Sequence, residues 1–146
     1  MVIINSSNIE VKINSVLKEI KEVSQGQKVV VAFSGGLDST VVSVLAIHAL
    51  GREKVKAVTV SFGEYSYYKG LENIKDISKD LNFELKIVQG KKKQEKVLKK
   101  GPACNRCTRI AKLAIVKKEA DRRLVLTGSN QSDTWGKMGL KIYDGF

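Results

Sequence analysis

The sequence predicts an α/β fold, an open parallel sheet of about four to five strands with helices on both faces. Two observations carry that expectation. Short, wholly apolar, β-branched runs alternate with longer amphipathic ones, the pattern of strands buried on both faces and joined by helical crossovers. Within that alternation, the run VVVAFSGGLDSTVVSVLA at residues 29–46 breaks into a cluster of small and polar residues. Small residues cost stability inside regular structure, so their concentration marks a place where something approaches the backbone closely.

The elements follow in order. Ser7-Asn8-Ile9-Glu10 resembles a capping box, and Ile9, Ile13, Val16, Leu17, Ile20 and Val23 recur behind it at helical spacing up to Gly26, predicting a helix over 8–24. Residues 28–33 are a short β-branched run with the character of a central strand. Asp38 to Leu50 reads as a helix closed by Gly51. A second strand spans 55–62, a second amphipathic helix 67–81 and a third strand 83–88. The segment GKKKQEKVLKKG, 90–101, is a basic loop or a short helix. Pro102, the only proline, can open a helix running to Ala120, and 123–127 is a fourth strand. The remainder is glycine-rich and polar. No repeat or linker divides the chain, so residues 1–146 are expected to form one domain. Right-handed crossovers gather the strand C-termini on one edge, where the loops after strands one and four meet the end of strand two.

Composition narrows the function classes. No apolar run approaches the ~20 residues of a membrane span. The start, MVIINSSNIEVK, has neither a basic n-region nor an apolar h-region, so the expected location is the cytoplasm. Lys and Arg number 26 against 15 acids, a net charge of +11. That excess suits a polyanionic partner such as nucleic acid, and equally suits a solvated lysine-rich surface.

The loop's N–H groups and the start of the following helix can make an anion cradle, to which Ser34, Ser39 and Thr40 add hydroxyls. Asp38 puts a carboxylate beside the expected anion. It makes sense as a ligand to a divalent metal bridging phosphates, or as a cap of the helix. The loop matches neither G-x-x-x-x-G-K-[ST] nor G-x-G-x-x-G. SGGLDST does closely resemble the SGGxDS signature of the PP-loop ATP pyrophosphatases, in the strand–loop–helix context that family uses. The resemblance implies an adenine nucleotide alpha hydrolase-like, Rossmann-like fold and ATP cleaved between its α and β phosphates, leaving an adenylated substrate. By position it implies that Ser34, Gly35, Gly36, Asp38, Ser39 and Thr40 hold the pyrophosphate, with Asp38 near Mg²⁺. It places adenine against Val60, Ser61 and Phe62. After the fourth strand, Gly128-Ser129-Asn130-Gln131-Ser132-Asp133 keeps part of the G-H-N-x-D-D pattern of thiolase-like members, making Gly128 and Asp133 candidates for the nucleotide site.

Cys104 and Cys107, the only cysteines, stand at i and i+3 near a helix start. A disulfide between them would close too small a loop to staple anything. The helix N-terminus, Arg106 and Arg109 would all favour a thiolate. The pair resembles that of tRNA thiolases in the PP-loop family, which implies a persulfide relay or an iron–sulfur cluster. Without a third cysteine, a cluster or zinc site built on cysteines alone requires two chains. The plain alternative is two small buried hydrophobes. Lys91, Lys92, Lys93, Lys99 and Lys100, with Arg106 and Arg109, could track an RNA backbone beside that pair. The reading that results is a PP-loop ATP pyrophosphatase adenylating a tRNA base for sulfur transfer through Cys104 and Cys107, with a sulfur-donor protein as a further partner. The alternatives are a PP-loop ligase acting on a small molecule, or a non-catalytic ATP-binding subunit that needs a homodimer or another chain.

Overall fold

The computed structural model describes residues 6–62, 68–90 and 105–129. In chain order the elements are α1 (Ser6–Ser24), β1 (Val29–Ala32), α2 (Leu37–Leu50), a 3-10 turn (Arg52–Lys54), β2 (Val55–Ser61), α3 (Tyr68–Leu81), β3 (Glu84–Gln89), α4 (Asn105–Ala120) and β4 (Leu124–Leu126). The strands are all parallel, in the order β3-β2-β1-β4.

β1 is central because nothing in it needs water: Val29, Val30 and Val31 are fully buried. Burying each such side chain is worth about 1.5–3 kcal/mol relative to leaving it exposed. Alternation then sorts the sheet into two faces. Val29, Val31 and Val55 pack with Ile20 of α1 and Ala46, Ala49 and Leu50 of α2. On the same face Ala57 meets Ile74 of α3, with Phe33 beside them. Val30, Val58, Val60 and Phe62 point to the opposite face and pack on Val116 and Ala120 of α4.

This distribution follows from crossover handedness. The chain moves outward from β1 to β2 to β3 with α2 and α3 on one face, then returns past β1 to β4 with α4 on the other. The order in which the chain crosses the sheet reverses between β1 and β4, and open α/β sheets hold ligands at the C-terminal strand ends of such a reversal. At the other end of the sheet two ion pairs stitch elements together: Lys56 Nζ lies 2.8 Å from Glu84 Oε1, and Lys86 Nζ 2.5 Å from Glu119 Oε2. The hydrogen bond from Lys56 holds the Glu84 carboxyl below its ordinary range, helped by the charges of Lys56, Lys28 and Arg123.

Every expected strand and helix is present, within three residues at each described boundary. Two local readings change. Ser6 is already helical, so Ser7 lies inside α1 and cannot hold the non-helical backbone of an N-cap. α2 starts at Leu37 with Gly36 as its N-cap, which places Asp38 in the first turn and removes it as the cap. Pro102 and the segment 91–104 lie outside the described residues.

Candidate nucleotide site

The loop between β1 and α2 is built by hydroxyls. Ser39, 5 % exposed, turns its Oγ inward, where it accepts the Ser34 N–H at 3.2 Å and donates to Gly36 O at 3.1 Å. Ser34 Oγ lies 3.0 Å from Ser39 Oγ and accepts the Gly36 N–H at 3.4 Å. Thr40 Oγ1 donates to Gly36 O at 2.8 Å, and Ser43 Oγ to Ser39 O at 2.8 Å. These short polar side chains fold the loop tightly, leaving Ser34, Gly36 and Asp38 at the surface.

The first intrahelical bond of α2 runs from Thr40 N to Gly36 O, 3.0 Å, so the amides of Leu37, Asp38 and Ser39 precede it. Gly36 makes no side-chain cap there. Helix N-terminal amides of this kind, with the positive end of the helix dipole, favour a bound anion.

Two neighbours fix the loop's position. Gly35 has φ +74°, and a Cβ on it would lie 2.5 Å from Ile74 Cγ1 of α3. Asn73 Nδ2 of the same helix donates to Gly35 O at 3.5 Å. From the other side, the chain leaving β4 passes so close that a Cβ on Gly128 would stand 2.7 Å from both Asp38 C and Ser39 N. Only a residue without a side chain lets the two loops meet. The strand-four loop and the glycine loop therefore come together at the C-terminal edge of the sheet, beside the reversal between β1 and β4.

At the end of β2 the side chains face into the protein. Val60, Ser61 and Phe62 are buried, Val60 and Phe62 in the core beneath α4, with Lys112 Nζ 5.8 Å from the Phe62 ring centroid. Arg106, Cys107 and Arg109 fall in the first turns of α4. Cys104, Asp133, Lys91, Lys92, Lys93, Lys99 and Lys100 lie outside the described residues. Among the described residues no three His, Cys, Asp or Glu side chains group as a metal site, and no helix is long and apolar enough to cross a membrane.

Sequence reasoning missed the supports beneath the loop. Phe33 N–H donates to Val58 O at 3.0 Å, and Thr59 Oγ1, buried in β2, donates to Phe33 O at 2.7 Å. Thr59 is hidden in the sequence because threonine is an ordinary strand residue.

This geometry agrees with what the chain resembles. The NAD synthase family model matches residues 8–136. The chain belongs to that family. Glutamine-dependent NAD(+) synthetases of Thermotoga maritima and Aquifex aeolicus are each 39% identical to it over 62 residues, 42% of this chain and 11% of theirs. An uncharacterized protein of Methanocaldococcus jannaschii is 30% identical over 121 residues, 81% of this chain and 24% of that protein. Among solved structures, an NH3-dependent NAD synthetase from Campylobacter jejuni, in complex with nitrate, superposes with a TM-score of 0.69 at 24% identity, over 92% of this chain and 62% of that one. A glutamine-dependent NAD+ synthetase from Acinetobacter baumannii, in complex with ADP, gives 0.68 at 18% identity, over 88% of this chain and 25% of that one. These similarities show the fold. The chain spans a tenth to a quarter of the length of the curated relatives. As an NAD synthase family member it sits within the PP-loop class that SGGLDST indicated; membership of the tRNA thiolase branch is not shown.

Proposed function

We propose that the chain is the ATP-binding core of an amidating ligase. The glycine loop receives the β and γ phosphates of ATP, and a substrate carboxylate oxygen attacks the α phosphorus. Pyrophosphate leaves, and ammonia then displaces AMP from the acyl carbon to form the amide. The observation that carries the reading is the meeting of two loops at the β1/β4 edge, with Gly128 against the backbone of Asp38 and Ser39 at the start of α2.

Each residue has a task in that sequence. The amides of the loop and of α2's first turn hold the leaving pyrophosphate. Ser39 and Thr40 keep the loop folded through their bonds to Gly36 O. Asp38, exposed in the first turn, fits Mg²⁺, a hard cation that takes one or two carboxylates and completes its shell with phosphate oxygens and water. Bound there, the ion would neutralise charge on the departing phosphates.

The NAD synthetases among its relatives indicate the substrate class: a nucleotide carrying an aromatic carboxylate whose amide is the product. Sulfur transfer to tRNA, expected from Cys104 and Cys107, draws no support from these relatives. The test is incubation with Mg–ATP, ammonium and the carboxylate form of NAD, with pyrophosphate, AMP and amide measured together. Equal amounts of the three support amidation, with AMP and amide absent without ammonium and pyrophosphate then limited to about one per enzyme. Tight Mg–ATP binding without turnover would contradict it.

A further inference from the structure

We propose that Thr59 is a positioning residue of the phosphate cradle, fixing the direction in which the loop's amides point. The proposal rests on the ATP-binding reading above and names a determinant of that site lying outside the SGGLDST motif. The paired register of β1 and β2 ends at Ala32↔Val58. One residue further on, Phe33 N–H still donates to Val58 O, but the Phe33 carbonyl is held by a side chain, Thr59 Oγ1, at 2.7 Å. The same peptide group presents its N–H, on Ser34, to Ser39 Oγ at 3.2 Å. Two hydroxyls, each on a residue 5 % exposed, thus clamp both poles of the Phe33–Ser34 peptide.

That peptide is separated from the Gly35 amide by one residue, Ser34, whose own Oγ is held at Ser39 Oγ and the Gly36 N–H. With the Phe33–Ser34 plane clamped and Ser34 tied in turn, the backbone enters the flexible glycines from a fixed frame. An anion cradle made of main-chain donors is effective when those donors are aligned before the ligand arrives. Thr59 sits on a rigid central strand and transmits its position to the loop through one buried hydrogen bond. Bulk water has little access to replace it.

The experiment compares Thr59→Val, which keeps shape and strand preference but removes the hydroxyl, with Thr59→Ser, which restores it. Ser24→Ala is the control: it removes another buried hydroxyl, bonded to Lys21 O at the far end of the sheet. Mg–ATP affinity and amide hydrogen exchange at residues 34–39 are measured for each. Thr59→Val should bind Mg–ATP roughly tenfold more weakly and exchange faster through the loop. Thr59→Ser should recover most of both, and Ser24→Ala should leave both at wild-type values even where thermal stability falls. Wild-type affinity in Thr59→Val, or a Thr59→Ser variant no better than valine, would overturn the proposal. Should the wild-type protein bind no Mg–ATP, the ATP reading itself fails. The exchange data then decide separately, with unaltered loop exchange in Thr59→Val refuting the clamp.

Discussion

Asp38 and Gly128 face each other across the reversal point and can be perturbed separately. Replacing Asp38 with Ala removes an acid from the first turn of α2, a position that contributes about 0.3–1 kcal/mol through the helix dipole. The fold should survive, while Mg²⁺-dependent ATP binding and pyrophosphate release are lost; isothermal titration with and without Mg²⁺ checks this. Gly128→Ala should behave differently. Its new Cβ would press on Asp38 C and Ser39 N, and backbone at a helix start has little room to yield. The expected result is a loss of about 1–3 kcal/mol in denaturant unfolding together with weakened nucleotide binding. Gly35, Gly36 and Asp38 were legible in the sequence because two glycines and an acid between apolar runs add nothing to a core and suit a turn that meets a ligand. Thr59, Asn73 and Ile74 were not. Their types are ordinary for a strand or a helix, and their importance arises only from what the fold brings against them.

α3 is the element on which the glycine loop leans. Gly35→Ala should be destabilising for two reasons, its φ of +74° and the clash with Ile74 Cγ1. Ile74→Ala should relieve the second and leave the first. A double-mutant cycle on unfolding free energy should therefore show favourable coupling, with a residual cost of about 1 kcal/mol for the left-handed backbone. Additive effects would mean that α3 does not support the loop. Elsewhere, the Lys56–Glu84 pair ties β2 to β3. Glu84 titrates below the usual carboxylate range, so its contribution is present above pH 4.5 and is lost as pH falls through the lowered value. Glu84→Gln should flatten the stability–pH curve there. Because the Glu84 side chain is 66% exposed, the change should not exceed about 0.5 kcal/mol. Element types were readable because β1 is uniformly apolar and the helices are periodic. Their ends shifted by a few residues because hydrogen bonds, as between Thr40 N and Gly36 O, decide where a helix begins.

The whole molecule was legible as topology before it was legible as chemistry. Alternating runs and right-handed crossovers predict an open parallel sheet, whereas the β3-β2-β1-β4 order, with its reversal between β1 and β4, is read from the structure. The acceptor substrate is another matter. In the proposed reaction SGGLDST holds pyrophosphate as a leaving group, and many acceptors can be served by one such loop. The C-x-x-C pair and the charge of +11 pointed toward tRNA, yet the chain belongs to the NAD synthase family, and amide synthesis is the reading proposed above. Charge describes a surface, and two cysteines do not specify a reaction. The central claim is that ATP is opened at its α phosphorus by a carboxylate held at this edge. It is tested most directly with a carboxylate substrate labelled with heavy oxygen, supplied with Mg–ATP and ammonium, and mass analysis of the nucleotide released. The account predicts that AMP carries one labelled oxygen and that pyrophosphate carries none. Label found in inorganic phosphate, with ADP as the nucleotide product, would contradict it.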